Sequence, residues 1–584
     1  MIRSGTDWTE NDRRTFSFGD IEQHLDGVRC VGFDVFDTLL LRMFMRPTDL
    51  FSYVEEKESA PGFRRERISA EKRARMRIHK ETDIDGIYSV IDEKYRHLKD
   101  REIETELRYC FADPCMKEIY DRIVGLGIDA VMISDMYLPK ECIAGMLEKN
   151  GYSGYKKIYV SNEHGTNKHS GGLFNIVLRD LGLRPDEMLF IGDDPHSDSR
   201  MPMKLGIRSV RFTSARDRYA ASHRKEMRIL RKGCAESSVI VSLDMLRWLR
   251  SPFDDYWHEI AYRFGGPVSS FFMQFMILNM NKNVGTILFI ARDGYNLQKI
   301  YNILSDGPLN NHYVYASRQF AMIFGNSASN KDRPRCILEH FSGSKEIREL
   351  GIPDNPSDKD VAAFVNDNQK EFGELLDAER LRYSEYIRNK VGNDGDVLVV
   401  DATTKRFSSQ RLIEGALGNE RRVTGCYYNL LARSDTENIA YADRSNGIIN
   451  WTKVNVPEFF LGSPEAPVTD MTADGTPIFQ KEIHEQERFR MSIYDRITKG
   501  EIEYANDLKA IFGDDIPSIG YKVVDRWMKA LVRTRHPGKE HISEIQWAPD
   551  TMHTRYRGLV FGPKDLLYKM ANMLGDLKWR IRSR

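Results

Sequence analysis

The stretch Val31-Gly32-Phe33-Asp34-Val35-Phe36-Asp37-Thr38-Leu39-Leu40 narrows the folds open to this chain more than any other. An apolar run stops abruptly on a carboxylate. That is the pattern of a buried strand delivering one charged side chain to its C-terminal tip, the edge at which open α/β sheets place their chemistry. The design recurs along the chain. Strand candidates at Val28–Phe33, Ala130–Ile133, Lys157–Val160, Met188–Ile191 and Ser209–Phe212 alternate with helical stretches at Pro114–Gly125, Lys140–Lys149, Gly172–Leu181 and Ser199–Leu205. Strands alternating with helices predict a parallel sheet covered by helices on both faces.

One interval breaks the rhythm. About 90 residues separate the Asp34 strand from the Ala130 strand, far more than a strand-to-helix loop requires. Asp49–Lys57, Glu66–Lys80, Ile84–Leu98 and Ile103–Phe111 have helical periodicity and few strand formers. The insert, about 43–112, is therefore expected as a helical cap over the carboxyl edge of a domain spanning 25–213. Residues 214–240 read as a linker. A second α/β domain is expected over 241–484, with strands at Thr286–Ala291, Tyr313–Ala316, Asp396–Asp401 and Val423–Leu430 and helices at Tyr295–Leu304, Ala378–Lys390 and Ser409–Leu417. Residues 485–584 read as mostly helical.

Composition removes several function classes. Lys+Arg and Asp+Glu both total 86, so the chain has no net electrostatic pull toward nucleic acid. Seven scattered cysteines, with Cys110 and Cys115 as the one close pair, suit neither a cysteine zinc site nor a disulfide framework. The polar segment Met1–Arg14 lacks the apolar core of a secretory signal, and the apolar patch around Phe271–Met280 is too short and interrupted to span a bilayer. A cytoplasmic location is the expectation.

Four segments carry the chemistry, and each has a plainer reading when taken alone. Asp34 could attack phosphorus to form an aspartyl-phosphate, splitting one hard hydrolysis into two easier steps, or it could cap a helix. Ser134, closing Val131-Met132-Ile133-Ser134, could donate to a phosphoryl oxygen or serve as an N-cap. Lys168, after Ser161-Asn162-Glu163-His164-Gly165-Thr166-Asn167, could neutralise charge at the reacting phosphate, where most lysines are simply solvated. Gly192-Asp193-Asp194-Pro195-His196-Ser197-Asp198 ends a strand with three carboxylates in six residues. Carboxylates that close repel, and hard oxygen ligands of this kind select Mg²⁺, which also binds phosphate.

In order and placement these four segments resemble the motifs of the haloacid dehalogenase (HAD) superfamily of aspartate-nucleophile hydrolases: Asp34-Val35-Phe36-Asp37-Thr38, Ser134, Lys168, and Gly192-Asp193-Asp194 with Asp198. The insert looks like the family's helical C1 cap. The resemblance implies a Rossmann-like sheet, Asp34 as nucleophile, Ser134 and Lys168 as phosphate ligands, and Mg²⁺ held by Asp34, the Phe36 backbone carbonyl and the cluster of Asp193, Asp194 and Asp198. The substrate would be a phosphorylated small molecule.

The sequence departs from the family pattern at one position. Family phosphatases place a general-acid aspartate two residues after the nucleophile, where this chain has Phe36. In extended backbone Asp37, three residues on, points away, which suits it to bracing the loop or capping a helix. Three readings follow: a substrate with a good leaving group, a proton supplied from elsewhere such as His196, or phosphate binding without turnover. Dehalogenation is a fourth, disfavoured because halide displacement needs no metal and the acidic cluster asks for one.

In the C-terminal half, Ile287-Leu288-Phe289-Ile290-Ala291-Arg292-Asp293-Gly294-Tyr295 and Val399-Val400-Asp401-Ala402-Thr403-Thr404-Lys405 again end strands on charge. Arg292, Asp293 and Asp401 are candidates for a second ligand site, or for pairs that shape turns. The two-part layout is similar to that of large bacterial HAD-type proteins associated with surface-polysaccharide and glycan biosynthesis. That resemblance implies a sugar phosphate or related glycan precursor as substrate. The alternatives are a non-catalytic HAD module in a glycan-assembly protein, or a glycosyltransferase-like activity in the C-terminal half. Lys564–Arg584 interleaves basic and apolar residues, the pattern of a helix that rests on an anionic membrane surface or docks on its own domain.

Overall fold

The computed structural model describes residues 16–542 except 79–80, 232–233, 317, 325–332, 393, 434, 447–451, 473–474 and 534–540, together with 545–547 and 557–558. The 564–584 segment lies outside the described residues. The chain forms two compact units, divided in sequence between Pro252 and Phe253.

The first unit is built on β1 (Cys30–Phe33), β2 (Leu40–Arg42), β3 (Cys110–Ala112), β4 (Asp129–Ser134), β5 (Lys157–Val160), β6 (Met188–Gly192) and β7 (Arg208–Arg211). Five of these make a sheet in the order β5-β4-β1-β6-β7. All its neighbours run parallel, with Phe33 opposite Met132 on one side and Ile191 on the other. This is the Rossmann order, and its topological switch lies between β1 and β6. In β1 and β6 both faces are buried, which is why these strands read as continuous apolar runs and do not alternate.

Helices form where capping and periodicity agree. Pro114–Gly125 starts on Asp113, whose Oδ1 accepts from the N–H groups of Cys115 (2.9 Å) and Met116 (3.1 Å), and Pro114 supplies a preset φ at the first position. Its buried residues Cys115, Met116, Ile119, Tyr120 and Ile123 recur at helical spacing. Under the sheet, Leu173, Phe174, Val177 and Leu178 of helix Gly172–Leu181 pack against Cys30, Val131, Ile133, Met188 and Phe190.

The expected insert is present. It comprises Asp49–Lys57, Phe63–Ile78, Ile84–Ser89, the 3₁₀ turn Glu93–Leu98 and Lys99–Arg108. It leaves and rejoins the sheet domain through the antiparallel ribbon β2–β3, in which Leu41 pairs with Phe111. The insert lies over the carboxyl edge, where Asn167 donates from Nδ2 to Glu81 Oε1 at 2.7 Å. Its interior holds a buried polar cluster: Arg67 forks onto Glu102 (2.7 and 2.8 Å), while Tyr88 donates to the same carboxylate at 2.8 Å.

Residues 214–240, expected as a linker, fold into this unit. Helices Ala215–Ser222 and Ala235–Trp248 occupy most of that stretch, and the Met45 N–H donates to Ser238 Oγ at 2.7 Å. The small residues that suggest a linker, among them Ala235, Ser237 and Ser238, are buried ones that let this helix pack closely.

The second unit carries another five-stranded parallel sheet, made of β8 (Val284–Ile290), β9 (Asn310–Val314), β10 (Asp396–Thr404), β11 (Val423–Leu430) and β12 (Asn438–Asp443) in the order β12-β11-β10-β8-β9. Read from the other edge this is the flavodoxin-like order, with its switch between β8 and β10. A helical excursion between β9 and β10 buries its own core of Cys336, Ile337, Phe341, Ile347, Val361, Phe372 and Leu376. The helical C-terminal region, Glu485–Phe512 and Tyr521–Arg533, belongs to the same unit as this sheet. Asn296 of helix Gly294–Leu304 donates to Glu501 Oε2 at 3.0 Å and accepts from Thr498 at 2.9 Å. Among the described residues no helix is long and apolar enough to cross a membrane.

Candidate active site

The register of the first sheet brings the ends of β1, β4 and β6 to one edge. Asp34 follows β1, with its N–H held by Ile191 O at 2.9 Å. Ser134 closes β4, and Asp193 follows β6. Lys168 arrives from the loop after β5, its backbone N–H fixed by both oxygens of Asp135 at 2.9 and 3.2 Å. From there its Nζ reaches Asp34 Oδ1 at 2.5 Å and Asp198 Oδ1 at 2.7 Å. Asp34, Ser134, Lys168 and Asp198 are all buried.

Asp34, Asp193 and Asp198 each present a carboxylate oxygen within 4.8 Å of the others. Asp198 gets there because the turn Pro195–Arg200 folds back under β6, where Asp198 Oδ2 accepts from the Asp194 N–H at 3.1 Å. Gly192 makes room for it: a Cβ at that position would stand 2.5 Å from Asp198 Oδ2. Asp194 stands apart from the three. Its Oδ1 accepts from the N–H groups of His196 (2.8 Å) and Ser197 (2.7 Å), so its carboxylate caps the turn. Those bonds hold its pKa below the usual range despite partial burial.

Electrostatics set the character of the edge. Burial raises Asp34 well above the ordinary carboxylate range, the Lys168 charge opposes that rise, and Asp198 and Asp193 add to it. Burial, then Asp37 and Asp198, push Asp193 up to about 7. Burial alone would lower Lys168, but Asp198, Asp34 and Asp135 together raise it, so the ammonium stays charged. One buried cation thus serves several carboxylates, leaving a surplus of negative charge on hard oxygen donors. That donor set fits Mg²⁺.

Two features depart from the expectation of an extended motif. Asp37 has φ +62°, in the left-handed region that aspartate tolerates better than most residues, so the chain turns there. Its N–H donates to Leu40 O at 2.8 Å and its Oδ2 pairs with Arg216 Nη1 at 3.2 Å. It braces the loop as expected, yet it also lies close enough to Asp193 to raise that group's pKa, because the left-handed turn overrides the strand alternation. The Phe36 ring is covered by the Arg42 guanidinium, 3.9 Å from its centroid, and Arg42 pairs with the buried Glu106 at 3.4 Å. Sequence reasoning missed Arg216, Asp135 and Arg42; Arg216 sits in the stretch read as linker and gave no signal. His196 packs against His169 with the rings tilted by 42° and their centroids 4.2 Å apart, and its Nε2 lies 3.3 Å from His169 O.

In the second sheet Arg292 and Asp293 follow β8, and Asp401 lies within β10, on the two strands that flank the switch. Arg292 Nη1 pairs with Glu487 at 2.9 Å, and Asp401 Oδ2 accepts from Ser409 Oγ at 2.5 Å.

Comparison with known proteins bears on the first unit. No curated protein matches the chain. Among solved structures it is similar to the L-2-haloacid dehalogenase from Xanthobacter autotrophicus (13% identity, TM-score 0.24, covering 32% of this chain and 77% of that one). A predicted phosphoglycolate phosphatase from Haemophilus somnus 129PT aligns at 15% identity and TM-score 0.24, over 32% and 86% of the two chains. The HAD family enzyme BT-2542 from Bacteroides thetaiotaomicron, an alanine variant in complex with magnesium and inorganic phosphate, aligns at 16% identity and TM-score 0.22, over 32% and 95%. Residues 165–228, which include Lys168, Asp193, Asp198 and Arg216, match the family model described as HAD-hydrolase-like. With the Rossmann-order sheet and its helical insert, that match gives the first unit a HAD-like fold.

Proposed function

We propose that the first unit is a Mg²⁺-dependent phosphohydrolase in which Asp34 is the nucleophile. The observation that carries this reading is the Lys168 ammonium lodged between Asp34 and Asp198, at 2.5 and 2.7 Å, with Asp193 completing a carboxylate trio at the switch of the sheet. Asp34, Asp193 and Asp198 would hold the ion with the Phe36 carbonyl, and the ion would offset phosphate charge and orient the ester for in-line attack. Asp34 Oδ attacks phosphorus, the ester oxygen departs, and water then hydrolyses the aspartyl-phosphate. Lys168 opposes the rise that burial imposes on Asp34 and, with Ser134, binds the phosphoryl oxygens.

Phe36 leaves the departing oxygen without the usual acid, and its ring is engaged instead by the Arg42 guanidinium. Substrates whose leaving group needs little protonation suit this arrangement. A sugar phosphate or related glycan precursor is the class implied by the sequence resemblance, and a phosphate at an anomeric carbon is the member that fits best.

Phosphate release from an aryl phosphate, with and without Mg²⁺, tests the assignment. Wild type should turn over and Asp34→Asn should not; undiminished turnover in that variant overturns it. Phe36→Asp should favour alkyl over aryl phosphates, since general-acid help is worth about 10²–10⁴-fold and matters most for poor leaving groups.

A further inference from the structure

We infer a second metal site, in the second unit, built from His340, Glu379 and Asp470 and suited to Zn²⁺. The three come from separate elements: helix Arg333–Phe341, helix Gln369–Lys390 and strand Val468–Met471. Each offers one ligand atom, and these atoms lie within 4.8 Å of one another. His340 Nε2 stands 3.1 Å from Glu379 Oε2 and 4.0 Å from Asp470 Oδ1, and its side chain is only 3% exposed.

A plain hydrogen bond accounts for part of this geometry. A neutral imidazole carries at most one proton on Nε2, which can serve Glu379; Asp470 at 4.0 Å is then too distant to share it. A metal ion serves both carboxylates and the ring together. Ligand atoms about 2.0–2.2 Å from a tetrahedral zinc stand about 3.3–3.6 Å from one another, so the His340–Glu379 separation of 3.1 Å needs to open slightly and the His340–Asp470 separation of 4.0 Å to close by roughly 0.5 Å. The donor set decides the ion: an imidazole among carboxylates favours zinc over Mg²⁺ or Ca²⁺, which prefer all-oxygen shells.

The surroundings also suit ligation. Arg382 donates to Glu379 Oε1, leaving Oε2 turned toward His340. Asp470 Oδ1 accepts from the Met471 N–H at 2.7 Å, the kind of supporting bond that fixes a ligating carboxylate. Asp470 is 39% exposed and gives the ion a way in from solvent, while His340 forms the buried floor. Bound zinc would tie the helical excursion between β9 and β10 to the hairpin formed by Val468–Met471 and Pro477–Phe479, two segments far apart in sequence. Three protein ligands leave the fourth position to water.

The test is Co²⁺ titration of the metal-free full-length protein, followed by visible d–d absorption, with Zn²⁺ as competitor. Wild type should show one equivalent of tetrahedral cobalt displaced by zinc. Asp470→Asn, at the exposed end of the site, should fold as wild type by circular dichroism yet lose that spectrum, as should Glu379→Gln and His340→Gln. Asp193→Asn, in the other unit, should keep it. Zinc should raise the melting temperature of wild type and not of Asp470→Asn. No one-equivalent binding in wild type, or a cobalt spectrum that survives in Asp470→Asn and Glu379→Gln, overturns the site. Loss of the spectrum in Asp193→Asn alone would assign the ion to the acidic trio and overturn it equally.

Discussion

The two parallel sheets handle charge at their carboxyl edges in opposite ways. In the first, β1 and β6 converge on Asp34, Asp193 and Asp198, with Lys168 as the single buried counter-charge among them. In the second, edge groups are held in internal pairs: Arg292 with Glu487, Asp401 with Ser409, and Arg444 forked onto Asp525 at 2.8 and 3.0 Å. One edge gathers like charge of the kind that a hard cation would relieve. The other resolves its charge within the fold. A strand tipped with charge therefore says little about chemistry until the balance of its neighbours is counted.

Substitutions should separate the two edges. Asp34→Asn should cut phosphate release by about 10⁴-fold or more while leaving the folded state intact, measured by turnover beside a thermal melt. Arg444→Ala should do the reverse. It strands the buried Asp525 and should cost about 3 kcal/mol in denaturant unfolding, at the low end of the range for broken buried pairs because Lys453 also reaches Asp525 at 3.1 Å. Its kcat should hold; a matching loss of turnover would undo the contrast. Lys168→Met should lower kcat by about 10²–10³-fold, the scale of a removed charge stabiliser, and weaken phosphate inhibition with it.

The last contrast is a slope against pH. Asp193 binds its proton more tightly in the folded chain, with a pKa raised from 3.8 to about 7, so metal-free stability should fall as pH rises through that window. Asp193→Asn should flatten the slope, and saturating Mg²⁺ should reverse it. Melts across that range that stay level in metal-free wild type would mean the trio carries less repulsion than its geometry implies.

Much of this was legible from sequence, for physical reasons that differ by element. Lys157–Val160, Pro114–Gly125, Lys140–Lys149 and Gly172–Leu181 have the bounds read from periodicity, because buried strands and amphipathic helices write their burial into residue type. The ribbon β2–β3 is too short at three residues a side to leave a period. β12, Asn438–Asp443, has too mixed a pattern to read as a parallel edge strand. The expected helix at Ser199–Leu205 begins earlier, as a π-helical turn at Pro195, because Asp194 caps it. At the site, Asp34 and Lys168 meet, Asp193 lies beside Asp34 and Ser134 ends the adjacent strand, whereas nothing in residue order separates the capping role of Asp194 from the inward turn of Asp198. Asp37 was misdirected by assuming extended backbone through a residue whose φ is positive.

The β2–β3 ribbon makes the insert a cassette. Chain leaves the sheet domain at Leu40–Arg42 and returns at Cys110–Ala112 on the neighbouring strand, so the two ends of the insert are already closed on each other. Whatever lies between them can change length or sequence without shifting the register of β1, β4 or β6. Under the proposed function, a change within the insert leaves the Asp34–Lys168–Asp198 geometry in place, so substrate preference and bond-breaking chemistry can vary separately.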